Sequence, residues 1–189
     1  MPRPPTLPAL EWIEIFDKSS SYDQWLQSGE ETDKIEKIER SRQDFVVDVA
    51  IKAYLENLPK PVNVLVIAED WCGDVVRHVP IVQKLIDAGT NIKSKYCYRE
   101  QFPEVFVRYL TNGGEAIPKF IFFNQDFVEC GNWGPMPQDC RDIIARGKAC
   151  GNVGHARQIV GKFYEADSSF RHVTKEILAL IDIASTDCI

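Results

Sequence analysis

The strongest hydrophobic pattern in the chain is a continuous run of apolar, mostly β-branched residues over positions 62–68. Such a run is typical of a central strand that is buried on both faces. Three further strands are predicted over 92–98, 119–123 and 127–131. The last two strands are separated by a short hairpin turn and should be antiparallel, whereas the first two are joined by a helix and should be parallel.

Apolar residues at three- and four-residue spacing predict the helices. These are expected over residues 21–27, 33–58, 73–88, 100–110, 136–148 and 155–184, the last with a break near Asp167. Pro59 and Pro61 end the long N-terminal helix. The segment Trp12–Phe16 is compatible with an extra edge strand.

These elements predict an α/β protein with a central mixed four-stranded sheet flanked by helices. The core of the fold is expected over residues 62–150. An N-terminal helical extension over 1–61 and a C-terminal helical extension over 151–189 should pack around it. The length of 189 residues agrees with one compact domain overall.

Composition and charge exclude several kinds of partner. The chain has 22 basic and 28 acidic residues, for a net charge of -6. Binding to nucleic acid or to an anionic membrane needs a basic face, so neither partner is expected. There is no apolar run near the ~20 residues of a membrane span, and the N-terminus lacks the apolar segment of a signal peptide. A cytoplasmic location is therefore predicted.

Six cysteines are present, at positions 72, 97, 130, 140, 150 and 188. Most should be reduced in a cytoplasmic chain of this length. No pair has the close spacing of zinc ligands, so neither a metal nor another cofactor is predicted. Cys97 lies in a predicted strand and should be buried.

Cys72 has the strongest chemical signal of the six cysteines. It follows the central strand and opens a helix, at the sheet edge where ligands gather in open α/β folds. The free N–H groups and partial positive charge of a helix start favour a thiolate, which is the nucleophilic form of cysteine. The site should also be at least partly exposed.

Charged residues near Cys72 act in both directions on the pKa of its thiol. Glu69, Asp70 and Asp74 should raise it. Arg77 and His78, further into the helix, could lower it. Asp74 also has a structural interpretation, because an acid in the first turn complements the helix dipole.

The segment Trp71-Cys72-Gly73 resembles the start of the WCGPC motif of the thioredoxin superfamily. Ile117-Pro118 is similar to the cis-proline site of that family, and Gly131–Gly134 to its glycine-containing strand end. The order of elements over 62–150 agrees as well. The resemblance implies a thioredoxin-like fold in which a cis bond at Pro118 presents the backbone of Ile117 beside Cys72. Trp71 would pack beside the sulfur and shield it.

The chain departs from the family pattern at two positions. Val75 replaces the second, resolving cysteine, so the motif is WCGDV, and Val66 replaces the buried acid of the strand. The resemblance then implies a monothiol site, in which Cys72 attacks a disulfide and forms a mixed disulfide. A low-molecular-weight thiol such as glutathione would release it. The expected partners are a protein disulfide and that small thiol.

Two alternatives stay open at this point. The chain could be a non-catalytic binding module that docks an extended segment beside Pro118. Cys188 could also act as a resolving thiol if the C-terminal tail folds back. A pKa of Cys72 well below ~8.5 favours disulfide exchange, and a higher pKa favours the binding module.

Overall fold

The computed structural model describes residue 7 and residues 9–186. The helices are α1 (Trp12–Lys18), α2 (Tyr22–Gln27), α3 (Thr32–Asp44), α4 (Val49–Glu56), α5 (Gly73–Ala88), α6 (Pro103–Phe106), α7 (Gln138–Ala149), α8 (Val153–Ala166) and α9 (Arg171–Ser185). The strands are β1 (Val62–Ile67), β2 (Ile92–Cys97), β3 (Lys119–Phe123) and β4 (Glu129–Trp133). A 3₁₀ turn over Val107–Tyr109 follows α6.

The four strands form one mixed sheet in the order β2-β1-β3-β4. β1 pairs with β2 in parallel and with β3 antiparallel, and β3 pairs with β4 antiparallel. Every residue of β1 is buried. The predicted fold class, a central mixed four-stranded sheet flanked by helices, is confirmed.

Alternating side chains of the strands contact different helical layers. On one face, Ser94 and Tyr96 of β2 hydrogen-bond Gln83 of α5, at 3.0 and 2.8 Å. On the other face, Phe123 of β3 packs against Trp12 of α1, with ring centroids 4.8 Å apart. Helices thus cover the sheet on both sides, as the unbroken apolar character of β1 requires.

Helix α9 belongs to the segment predicted as a C-terminal extension, and it packs directly on the sheet. It contacts β1, β3 and β4 as well as α5. Its buried apolar side chains are Val173, Ile177, Ile181 and Ala184. Helix α7, in contrast, has its main packing contacts with α8. The C-terminal residues therefore complete the hydrophobic core.

Two interpretations of the N-terminal region are wrong. The segment Trp12–Phe16 is helical, because Trp12, Ile15 and Phe16 have helical spacing and the last two are buried. The single helix expected over 33–58 is divided into α3 and α4. Phe45 is extended there, and the Asp48 carboxylate caps α4 by accepting the N–H of Ala50 at 2.8 Å.

Two other elements differ in their boundaries from the prediction. The last strand begins at Glu129 because the Asn124 side chain accepts the N–H groups of Asp126 and Val128 and extends the turn. The helix expected over 100–110 is confined to α6 and its 3₁₀ turn. The break expected near Asp167 is confirmed, because α8 ends at Ala166 and the Asp167 carboxylate accepts the Arg171 N–H at 2.9 Å at the start of α9. The other elements agree with the prediction to within two residues.

The described cysteines are all free, namely Cys72, Cys97, Cys130, Cys140 and Cys150. Cys97 is buried, as predicted. Cys188 lies outside the described residues, and so does nearly all of the segment before Ala9. Across 9–186, no helix has the length and apolar character needed to cross a membrane.

Replacing Ile177 with Ala should test the role of α9 in the core. Ile177 is fully buried, so its truncation should lower the free energy of unfolding by ~2–5 kcal/mol. Ile183 on the same helix is 54% exposed, and Ile183→Ala should stay within about 0.5 kcal/mol of the parent. Urea unfolding of the two variants checks this, and equal losses would show that α9 is not part of the core.

Candidate functional site

Cys72 lies where the sequence places it. It is the N-cap residue of α5, which follows the central strand β1 across a short loop. Its side chain is partly exposed. The thiol faces the carbonyl oxygen of Ile117 and can donate to it at 3.4 Å. The predicted position at the first turn of a helix is confirmed.

The expected lowering of the Cys72 pKa is not observed. Burial raises the pKa of the thiol above its ordinary value, and the charges of Asp74 and Glu69 raise it further. The backbone N–H groups of Val75 and Asp74 lower it, as expected at a helix start, but they do not compensate for burial. Cys72 is therefore mainly a neutral thiol near pH 7.

The loop before Cys72 is held by the N-terminal helices. The Asp70 carboxylate accepts the N–H groups of Glu30 and Glu31 at 2.7 and 2.8 Å. Lys34 of α3 donates to the carbonyl oxygen of Trp71 at 2.7 Å. Asp70 thus has a structural role, and α3 helps to position the residue next to the sulfur.

Trp71 is 47% exposed and forms a wall of the site. The Arg99 guanidinium lies 5.3 Å from the centre of its ring, a cation–π contact. Arg99 also pairs with Glu69 at 3.0 Å and with Glu115 at 3.2 Å. These ion pairs hold Arg99 against the indole ring. The positive charge of Arg99 partly compensates the negative charge of Glu69 and so weakens the effect of Glu69 on Cys72.

Asp74 is involved in a partly buried polar chain that joins α5 to α8. Its carboxylate accepts the hydroxyl of Tyr164 at 2.9 Å, and the same hydroxyl is 3.2 Å from Nε2 of His78. Burial raises the pKa of Asp74, while the hydrogen bond from Tyr164 and the charge of Arg77 lower it. Asp74 is in the first turn of α5, as predicted, but it also links the helix to the C-terminal region.

Arg77 and His78 do not lower the pKa of Cys72. Arg77 is directed towards α8, where it donates to the carbonyl oxygens of Tyr164 and Asp167. His78 is buried, and desolvation lowers its pKa to about 3. The imidazole is therefore neutral at physiological pH and supplies no positive charge.

The peptide bond between Ile117 and Pro118 is cis, as predicted, and both residues are buried. Gly134 packs against this step, and its φ is +123°. A Cβ at Gly134 would collide with the carbonyl oxygen of Pro118. Only glycine therefore allows the end of β4 to approach the proline so closely.

A groove of 350 Å³ begins at Cys72. Its lining is mostly apolar and includes Trp71, Asp74, Ile117, Pro135 and Met136. All of the predicted site residues except Gly73 and Pro118 line it. Gly73 has open space around its Cα, so no close contact requires a glycine there.

The positions that distinguish this site from a two-cysteine site are fully buried. Val75 and Val66 each have 0% exposure. Neither can carry a proton or attack a disulfide. Cys97 and Cys140 are also buried, and burial raises the pKa of each to about 12. In the described part of the chain, no cluster of three or more His, Cys, Asp or Glu side chains could hold a metal ion.

Sequence reasoning missed Lys34 and Tyr164. Both contact the site from distant segments of the chain. Lys34 is 37 positions from its partner in the site, and Tyr164 is 90 positions from its partner. No local spacing relates them to Cys72. The aromatic and basic residues of their helices carry no motif that would have identified them.

The fold and the site together define a thioredoxin-like protein. Two solved structures are similar in fold. A protein of unknown function from Pseudomonas aeruginosa has a TM-score of 0.70 and 19% identity, over 92% of this chain and 98% of its own. An HIV epitope-scaffold has a TM-score of 0.66 and 18% identity, with the same coverage.

The sequence also matches a family model. The model, described as thioredoxin, matches residues 20–149. This chain belongs to that thioredoxin family. The match begins at residue 20, so it includes the helices that hold the loop before Cys72. No curated protein matches the sequence.

The pH dependence of alkylation should report the raised pKa of Cys72. In a background with Cys130, Cys150 and Cys188 changed to Ser, the rate with iodoacetamide should keep rising through pH ~8.5, the ordinary pKa of a thiol. The reason is that burial keeps the thiol protonated at lower pH. A rate that is already constant at pH 6–7 would contradict this result.

Asp74→Asn should move the same alkylation profile to lower pH. The change removes a negative charge that raises the Cys72 pKa, and it keeps an oxygen that can accept from Tyr164. Alkylation at pH 7 should become faster. Asp126→Asn, in the distant hairpin turn, is the matched control and should leave the profile unchanged. An unchanged profile for both variants would show that Asp74 has no electrostatic effect on the thiol.

Proposed function

We propose that this protein carries out thiol–disulfide exchange with Cys72 as a single nucleophile. The observation that carries the proposal is the position of the sulfur. Cys72 is a partly exposed residue at the start of α5, its sulfur faces the carbonyl oxygen of Ile117, and both residues line the groove. A free thiol at the floor of an apolar groove can meet a disulfide that docks there.

The exchange balances in two steps. The Cys72 thiolate, after loss of its proton to solvent, attacks one sulfur of a disulfide R–S–S–R′, so that Cys72–S–S–R forms and R′–S⁻ leaves. An external thiolate then attacks the sulfur of R, which gives a new disulfide and returns the Cys72 thiolate. The external thiol is needed because Val75 occupies the place of a resolving cysteine.

The raised pKa of Cys72 sets the rate of the first step. Only the thiolate attacks, and its fraction is small near pH 7. The few thiolates present are intrinsically strong nucleophiles, because nucleophilicity rises with pKa. We therefore propose a slow exchange that accelerates with pH.

A second candidate function is a binding module without turnover. The raised pKa of Cys72 favours it, and so does the mostly apolar groove beside Pro118. In this case an extended peptide would dock along the groove, and the thiol would be a small apolar contact. The two candidates differ in whether Cys72→Ser abolishes the interaction.

We propose protein disulfides and a low-molecular-weight thiol as the partners. The proposed location is a reducing compartment such as the cytoplasm. The five free cysteines in the described part of the chain support such a location. The excess of acidic residues supports neither a nucleic acid nor an anionic membrane as a partner.

Insulin reduction tests the exchange. Without an external thiol, the protein should stop at about one equivalent of mixed disulfide at Cys72, because it lacks a second thiol in the motif. Glutathione should discharge the adduct. Val75→Cys should instead release about one equivalent of reduced insulin chain and end as an intramolecular disulfide at Cys72, because the protein supplies two electrons once. Val75→Ala is the matched control and should keep the mixed disulfide. Mass spectrometry of the quenched protein follows the adduct.

Two outcomes would contradict the proposal. If no adduct forms, but the substrate binds equally well to the parent and to Cys72→Ser, the protein is a binding module. If the parent releases about one equivalent of fully reduced insulin chain without a small thiol, another cysteine resolves the adduct and ends in a disulfide with Cys72. Cys188 would then be the first residue to replace.

A further inference from the structure

A second cavity adjoins the groove at Cys72. It has a volume of 310 Å³ and lies between β3, the end of β4 and α7. Thr111, Asn112 and Arg141 line both the groove and the cavity. The groove and the cavity are therefore direct neighbours, with Arg141 bordering both.

Lys119 lies in the wall of the cavity, directly after Pro118. The residue is 3% exposed. Its ammonium donates to Thr111 Oγ1 at 2.5 Å and to the carbonyl oxygen of Gly134 at 2.9 Å. Burial, and then the nearby charge of Arg141, lower the pKa of Lys119 to about 8. Near pH 7 the side chain is still a cation.

Arg141 of α7 provides a second cation at the same point. Its Nη1 donates to the carbonyl oxygens of Gly134 and Met136, and its Nε and Nη2 donate to Gln138. Lys119 and Arg141 thus share one acceptor, the carbonyl oxygen of Gly134. Their nitrogens must lie within about 6 Å of each other, the sum of two hydrogen-bond lengths.

Neither cation has a carboxylate partner among the described residues. The acid in the cavity lining, Asp142, is exposed and accepts from Gln138 instead. Buried charges in proteins are normally paired, because an unpaired one is costly to desolvate. Within residues 9–186, no carboxylate lies within ion-pair distance of either side chain, so the pair carries a net charge of about +2 there.

The hydrogen-bond count leaves room for an anion. An ammonium has three N–H donors and a guanidinium has five. Lys119 uses two of its donors and Arg141 uses four, so each keeps one. A carboxylate has two oxygens and could accept one bond from each cation.

We propose that Lys119 and Arg141 form a subsite for a carboxylate of the low-molecular-weight thiol that discharges the Cys72 mixed disulfide. This inference rests on the proposed exchange function for its role, but the anion site itself can be tested alone. The carboxylate would occupy the cavity, and the thiol sulfur would reach the mixed disulfide through the adjoining groove.

A purely structural role explains the hydrogen bonds but not the charges. Lys119 and Arg141 do brace the Gly134 carbonyl, which lies against Pro118. A neutral side chain could donate the same bonds without the cost of two unpaired cations. The variants below therefore keep an amide that can donate hydrogen bonds and remove the charge.

The first experiment compares glutathione with its diethyl ester on the parent protein. Both carry the same thiol, and only the carboxylates differ. The rate at which each discharges the Cys72 adduct is divided by its rate with a small free disulfide. We expect glutathione to be about tenfold faster after this correction, as for one charge-assisted interaction. The net charge of -6 acts in the opposite direction, because it repels the acidic thiol.

Variants that remove one positive charge then test which residues cause the preference for glutathione over its diethyl ester. Lys119→Gln and Arg141→Gln should each reduce the ratio towards one. Lys162→Gln is the matched control, because Lys162 is an exposed lysine of α8 that lines neither the groove nor the cavity. It should keep the ratio of the parent. Equal corrected rates for the two thiols on the parent protein would overturn the subsite and leave the exchange function intact.

Binding of S-methylglutathione separates the two proposals, since this probe keeps the carboxylates and cannot exchange. Calorimetry should show binding to the parent protein and at least tenfold weaker binding to Lys119→Gln. If no Cys72 adduct ever forms but this difference is found, the exchange function fails and the subsite stands. If the probe does not bind the parent, or binds Lys119→Gln equally well, the subsite is wrong.

Discussion

The burial of β1 on both faces is the constraint on which the rest of the structure depends. A strand whose six residues are all hidden from water needs a helical layer on each side. The segment over 62–150 does not supply both layers by itself, and α1 and α9 contribute to them from outside it. The position of the functional site follows from the same arrangement, because Cys72 opens helix α5 shortly after the buried strand ends.

Burial and the start of helix α5 have opposite effects on the pKa of the Cys72 thiol. The N–H groups at the start of α5 stabilise a thiolate, as they do wherever an anion meets a helix N-terminus. In this protein the groove removes water from the sulfur, and Asp74 adds a like charge close by. Near pH 7 the Cys72 thiol is therefore mainly protonated. This differs from a cysteine whose lowered pKa keeps it as a thiolate at that pH.

The parts of the protein predictable from sequence are those set by short-range patterns. The run over 62–68, the cysteine after it and the following amphipathic helix are contiguous, so the sheet and the position of Cys72 could be predicted. The helix α1 could not be distinguished from a strand by five residues, and its assignment depends on packing against Phe123. The contact between Tyr164 and Asp74 joins residues with no pattern in common, and only the folded chain brings them together.

Trp71 has an optical consequence. Of the four tryptophans, Trp25 and Trp133 are each 2% exposed, and Trp12 packs against Phe123. The indole of Trp71 is 47% exposed, adjoins Cys72 in sequence and lies beneath the Arg99 guanidinium. Water-soluble quenchers therefore act mainly on the fluorescence of this one residue. Its emission gives the site a built-in reporter, sensitive to whatever occupies the groove next to the sulfur.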